Sequence, residues 1–262
     1  MRCAGALALD PIVRSRLVVA DLMSLDVVPF QSSLGFPRVK VVHSFHELVT
    51  TPFADGVNAL CWERTLAGDF AEIVERLATT EEIASLDDES LRGLALSAAG
   101  KTAVDVLIED QQRLRALGLA PVLDCIRRYP RDEEGSAVPT DVYSFHADSA
   151  TVETDTYLCS YTESASEGVS NEDALRCVDL PETRAELLKL FGGRDDDGFR
   201  EFLKENCYDV HYLALPHARP FSFGLGHLWR IAVDYPGSPV PPCVHRAPAT
   251  VPGRPARLLL IS

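Results

Sequence analysis

The pattern of the chain changes near Gly118, and that change limits what it can fold into. Before it, "GDFAEIVERL" and "TTEEIASLDDESLRGLALSAAGKTAVDVLIEDQQRLRALG" carry apolar residues at helical spacing. After it come short apolar runs: "APVLDCIRRY", "DVYSFHADSATVETDTYLCSY", "YDVHYLALP", "HLWRIAVDYP", "PPCVHRAP" and "ARLLLIS". Prolines and glycines separate them, as they separate strands. Many short strands with few long helices predict a sandwich or jelly roll. Two helices are expected inside this region. "PETRAELLKLFGG" opens on Pro181 and closes on glycine, and "DDDGFREFLKENC" follows it.

The expected class is therefore α+β, one domain over residues 1–262. Residues up to about 118 form a mixed, largely helical part that packs on the strands. Residues from about 119 to 262 form the β core, with helices near 172–206. In the first part, "RVKVVHSF" reads as a strand and "NALCWERTL" as a strand or the run-in to a helix. The stretch from Thr79 to Gly118 reads as two or three helices, with Thr79 or Thr80 as an N-cap and Gly118 as a stop.

A chain of 262 residues can bury a sizeable core. Its net charge of -14 argues against nucleic acid and anionic membranes as partners. The seven cysteines are scattered without a CxxC pair, which reads as reduced thiols in a cytoplasmic protein. "MRCAGALALDP" is too short and too weakly charged for a secretory signal, and no apolar run approaches a membrane span.

Familiar nucleotide and hydrolase motifs fail on inspection. "SAAGKT" ends like a phosphate-binding loop, but Ala95 stands where that loop needs glycine, and the context is helical. "SFGLGHLW" lacks the third glycine and following helix of a dinucleotide fingerprint, so it reads as a tight turn. No GxSxG elbow is present.

Histidine and carboxylate spacing is more informative. His146 and Asp148 stand two apart at the end of a strand, so both point to one face. Such a pair is either a hydrogen-bonded couple or half of a metal site. His43 and His46 in "HSFH" read as surface residues, and His211 and His217 as loop residues beside "YLALP". His245 differs, because "CVHRAP" places it at the end of a short strand, with Arg257 opening the terminal apolar strand. His146, Asp148 and His245 together make two imidazoles and a carboxylate. That set leaves open positions on a non-haem Fe(II), and it also suits zinc, as in a hydrolase. Arg257 can pair with a carboxylate through two parallel hydrogen bonds.

On "FHAD", "VHRAP" and "RPARLLL", the chain resembles the Fe(II)/2-oxoglutarate-dependent oxygenase superfamily over about residues 120–262. A closer resemblance, over most of the chain, is to a bacterial family of domain-of-unknown-function proteins. It rests on "FADGVNALCWER", "FHAD…LCSYTE" and "VHRAP…RLLL". The resemblance implies a double-stranded β-helix (jelly roll) and Fe(2+) held by His146, Asp148 and His245. It also implies 2-oxoglutarate as cosubstrate, with Arg257 (alternatively Arg254) on its distal carboxylate. Arg257 is preferred because it immediately precedes the strand. The implied reaction oxidises a C–H bond of a small substrate with O2.

Strand parity adds candidate substrate contacts. Tyr157 and Tyr161 share one face, and Trp229 or Arg230 faces inward, Arg230 suggesting an acidic or amino-acid-like substrate. Two alternatives stay open: a cupin-like dioxygenase without 2-oxoglutarate, and a non-catalytic jelly-roll protein that binds a metal or small molecule.

Overall fold

The computed structural model describes residues 26–29, 35–77, 79–132, 136–251 and 253–262. The N-terminal segment read above as lacking a signal, with Cys3, lies outside the described residues. Among those described, thirteen strands form two sheets. In chain order the first part holds β1 (Val39–Val42), α1 (Phe45–Thr50), β2 (Ala59–Trp62), α2 (Phe70–Leu77), β3 (Ile83–Ser85), α3 (Asp88–Arg92) and α4 (Ala98–Arg115). Then follow β4 (Val122–Ile126), β5 (Phe145–His146), β6 (Asp155–Ser160), β7 (Glu167–Val169), β8 (Ala174–Arg176), α5 (Pro181–Phe191) and α6 (Asp197–Glu205). The chain ends with β9 (His211–Ala214), β10 (Phe221–Ser222), β11 (Leu228–Ala232), β12 (Val244–Arg246) and β13 (Arg257–Ile261).

The larger sheet has the order β1-β2-β11-β6-β13-β4-β3, and the smaller β10-β7-β12-β5-β9-β8. Pairing is antiparallel except between β1 and β2. Alternation along the central strands gives the larger sheet two different faces. Tyr157, Cys159, Tyr161, Leu228, Leu258 and Leu260 pack into one core with Ile73, Leu91, Leu107 and Leu114 of the helices. Leu158, Trp229, Ile231 and Leu259 point the other way, into a second core shared with Phe221 and Cys243. Val138, Cys177, Leu187, Phe199 and Leu203 form a separate cluster under α5 and α6.

The local signals for the helices are visible. Pro181 occupies the first turn of α5, and Gly192 closes it in the left-handed conformation (φ 72°). Ser97 caps α4 by accepting from the Gly100 amide, so "SAAGKT" is a helix start and not a phosphate loop. Gly224 and Gly226, at φ 74° and 79°, turn the chain between β10 and β11.

One helical expectation fails. Ile83–Ser85 is an edge strand paired to β4, and the caps that follow are Asp87 and Ser97, not Thr79 or Thr80. Pairing with a distant strand overrides a weak helical pattern there. Gly118 lies three residues past the end of α4 and turns the chain at φ 81°. The strand read in "RVKVVHSF" ends at Val42, and Phe45 already opens α1, which holds His46. No helix among the described residues is long and apolar enough to cross a membrane.

A buried ionic group ties α4 to the larger sheet. Asp110, fully buried, takes a two-pronged contact from Arg64, one prong at 2.7 Å. Tyr161 Oη donates to its other oxygen at 2.8 Å, and Arg113 adds a bond at 3.1 Å. Asp110→Ala would leave the Arg64 guanidinium buried without its partner, which costs about 3–5 kcal/mol. Urea unfolding of this variant should show that loss, with Asp110→Asn losing less because it keeps acceptor oxygen.

Candidate metal centre

The smaller sheet sets up the site through its register. β12 pairs with β5 so that His245 stands opposite His146, and β5 pairs with β9 so that His146 stands opposite His211. Residues directly opposite share a face. The rings of His146 and His245 lie 4.6 Å apart, and those of His146 and His211 5.6 Å apart.

The protons of the two first rings can be placed from their partners. His146 Nδ1 lies 2.8 Å from the Ser144 carbonyl oxygen, and His245 Nδ1 lies 3.3 Å from that of Cys243. A carbonyl only accepts, so each Nδ1 carries a proton and Nε2 is the nitrogen left for a metal. That is how backbone oxygens orient histidines that bind metal through Nε2.

Asp148 follows β5 by two residues. Its backbone is held in place by Asp234, whose amide donates to the Asp148 carbonyl at 2.8 Å. The Thr156 hydroxyl donates to Oδ2 at 2.5 Å, and Oδ1 lies 3.9 Å from His245 Nε2. Ligand atoms of His146, Asp148 and His245 all lie within 4.8 Å of one another, so the group can hold a metal ion. Two imidazoles and a carboxylate fit a divalent transition metal.

The electrostatics agree with this donor set. Burial, then the neighbouring His245, pushes His146 down to about 4. Burial pushes Asp148 up, but His245, the Thr156 hydroxyl and His146 outweigh it and hold the carboxyl below its usual range. His211, pushed down to about 4 by burial, is a neutral ring as well.

Arg257 enters the same interior from the start of β13. It is 6 % exposed, and its Nη2 donates to Ser160 at 2.8 Å and Ser166 at 2.7 Å. Its Nε is buried with no hydrogen-bond partner, and no carboxylate among the described residues lies within ion-pair distance. It lines a cavity of about 280 Å³ with Tyr129, Thr250 and Arg254. Arg254 belongs to the rim instead, its side chain 68 % exposed and 3.9 Å from Glu163.

The proposed substrate contacts divide. Trp229 faces the interior, fully buried, with its indole N–H on the Phe223 carbonyl at 2.7 Å. Phe223 stacks on it at 4.2 Å and sits 6.5 Å from the His245 ring. Tyr157, Tyr161 and Arg230 lie on the opposite face of the larger sheet, toward the helices. Tyr161 bonds Asp110, and Arg230 pairs with Asp155 and caps the carbonyls of Leu48, Val49 and Thr51 in and after α1. Parity groups these residues correctly, but it cannot say which face a buried sheet turns to its helices. The motive Arg230 lent to an acidic substrate is gone.

Sequence reasoning missed Thr156, Ser160, Ser166 and His211. Small polar residues alternating with Leu158 along β6 were the available signal for the first two. No family model, curated protein or solved structure matches the chain.

Two outcomes follow from this geometry. Asp148→Ala and His245→Ala should each lose bound metal in elemental analysis while the circular dichroism of the fold persists. Metal-free protein should also lose stability as pH falls from about 6.5 toward 4. The unfolded chain takes up protons at His146 and His211 in that window, whereas the folded chain, with both values lowered to about 4, does not. Melting temperatures across that range should fall, and less steeply in His211→Asn.

Proposed function

We propose that the protein is a non-haem Fe(II), 2-oxoglutarate-dependent oxygenase acting on a small molecule. The observation that carries this reading is Arg257: a buried guanidinium without a carboxylate, held by Ser160 on the strand whose Thr156 holds Asp148 of a two-histidine, one-carboxylate group. A buried charge without a partner costs several kcal/mol, so an anion belongs beside it. Strand β6 relates the two ends. Thr156 holds Asp148, and Ser160, on the same face four residues further, holds Arg257. Four residues of strand span about 13 Å, which sets the scale of the separation between the two ends.

The strand order supports a jelly roll. In the run β4-β13-β6-β11 of one sheet and β5-β12-β7-β10 of the other, the chain crosses between sheets at each step except from β7 to β10, which pair within the smaller sheet, an order that fits a double-stranded β-helix. Fe(2+), when bound by His146, Asp148 and His245, would supply O2 activation. The balanced reaction takes O2, 2-oxoglutarate and a substrate C–H to succinate, CO2 and the hydroxylated product. The chain's own contributions are binding and orientation. Arg257 grips the distal carboxylate through its fork, Thr156 fixes the carboxylate ligand, and Phe223 with Trp229 makes a dry wall beside His245. Six described cysteines are free thiols, which supports a reducing compartment such as the cytoplasm.

The test is the arginine. Arg257→Lys replaces the fork by a point charge and should raise the apparent 2-oxoglutarate constant at least about tenfold, or roughly 1.4 kcal/mol, with iron content unchanged. Arg254→Lys, on the rim, should be nearly silent. Succinate release and anaerobic titration of the visible Fe(II)–2-oxoglutarate band measure both. If neither variant moves the constant, a cupin-like dioxygenase or a metal-binding sensor takes the place of this reading.

A further inference from the structure

The cavity of about 280 Å³ that Arg257 lines has a mouth of its own. Arg257, Ile126 and Pro248 are its buried lining, and Glu163, Thr250 and Arg254 belong to its exposed lining. His146, Asp148 and His245 take no part in it. A molecule can therefore reach Arg257 from solvent without passing the metal group. The guanidinium has donors to spare. Nη2 serves Ser160 and Ser166, while Nε is buried without a partner and Nη1 donates to no described residue. A buried cation with idle donors favours an anion.

The walls are held in place by bonds outside the cavity. Tyr143 Oη accepts from the Tyr129 amide at 2.9 Å and is hydrogen-bonded to Thr250 Oγ1 at 2.6 Å, which ties two lining residues together. The turn between β6 and β7 is pinned at both ends. Thr162 Oγ1 accepts from the Leu258 amide at 2.8 Å and donates to the Ala256 carbonyl at 3.2 Å, and Ser166 accepts from Arg257. Between these anchors Glu163 takes a left-handed backbone at φ 60°. A residue with a Cβ adopts that conformation only where its surroundings hold it, and such residues gather at ligand clamps. The result is a carboxylate 3.9 Å from Arg254 Nη1, an ion pair too long to be a hydrogen bond.

Charge and lining define what fits. The charged lining residues are Arg127, Arg254, Arg257 and Glu163, a net of two positive charges on a chain whose net charge is -14. Arg127 spends its Nε on the Thr79 carbonyl at 2.7 Å, so Arg257 at depth and Arg254 at the mouth are the cations left for a ligand. Ile126, Pro248 and Val251 add apolar wall, which suits a carbon chain better than a compact inorganic ion. We propose that this cavity binds a small organic dianion directly from solvent, with one anionic group on Arg257 and the other on Arg254. Glu163 is the internal counter-charge that the ligand displaces, and the site needs no metal. The inference goes beyond the oxygenase reading and does not rest on it: Arg257 is common to both, whereas Arg254 and Glu163 serve this site alone.

The test is calorimetric titration of the full chain in low salt, once loaded with zinc and once stripped of metal and dialysed. The probes are glutarate, its monoanionic counterpart valerate, and sulfate. Glutarate should bind the two forms with constants within about threefold of each other, and at least about threefold more tightly than valerate or sulfate. Arg257→Lys should weaken glutarate at least about tenfold. Arg254→Gln, on the exposed rim, should weaken glutarate about threefold and leave valerate unchanged. Glu163→Gln should tighten glutarate about threefold, a gain that damage to the fold cannot produce. No binding of glutarate, binding lost with the metal, equal binding of valerate or sulfate, or indifference to either rim variant overturns the proposal. No arm contains iron or 2-oxoglutarate, so failure of the oxygenase reading, seen as absent succinate release, leaves them interpretable.

Discussion

The pairing of β12 between β5 and β7 is the constraint on which the site depends. A slip of one residue would turn His245 to the other face and leave Asp148 without its second imidazole. The neighbours of β12 prevent such a slip. Val244 and Val169 are opposite one another, and Arg246 pairs with Glu167 at 2.7 Å with both side chains mostly buried. Between these two pairs, His245 stands opposite Gly168. A Cβ on Gly168 would come within 2.7 Å of both Phe221 and Phe223 rings. The glycine lets those rings close over β7, and Phe223 then reaches both Trp229 and the side of His245. An ion pair, an aliphatic pair and a missing side chain thus place one imidazole to within a hydrogen bond's tolerance.

The larger sheet separates two kinds of interior. Toward the helices, β6 presents Tyr157, Cys159 and Tyr161, and the ionic groups there are closed on themselves, Arg64 and Arg113 around Asp110 and Arg230 on Asp155. Toward the smaller sheet the same strand presents Thr156, Leu158 and Ser160. Those hydroxyls end on groups that need a further partner: a carboxylate with one oxygen free for a metal, and a guanidinium with an idle Nε. One strand therefore carries structural aromatics on one face and site-holding hydroxyls on the other.

Much of this was legible in the sequence, because it depends on local periodicity. The strands β4, β6, β9, β11, β12 and β13 and the helices α5 and α6 announce themselves through spacing, Pro181 and the glycine stop. His146 and Asp148 converge because two residues of extended chain return to the same face, and His245 and Arg257 sit at strand positions that punctuation marks. What depends on pairing across the chain was not legible. The position of His211 beside His146 is set by register between segments 65 residues apart, and "YDVHYLALP" shows a strand but not its partner. Ile83–Ser85 is a strand only because β4 offers an edge. Arg230 has the right parity for a site residue and the wrong side, since its sheet turns that face to α1.

The interior holds an imbalance that a stable fold would not assemble for its own sake. A buried guanidinium with an idle Nε is costly when dry, and an apolar residue of similar size would have removed that cost. The metal group and the guanidinium also differ in sense. The imidazoles and the carboxylate accept, and the guanidinium donates and carries charge, yet among the described residues Arg257 reaches no acid and is met only by two serine hydroxyls. If the arginine and Asp148 were close enough to pair, they would neutralise each other and the site would close. Thr156 and Ser160 hold them apart at two points along β6, with Leu158 between. A rigid strand thus keeps an anion-seeking group and a cation-seeking group from meeting and neutralising each other.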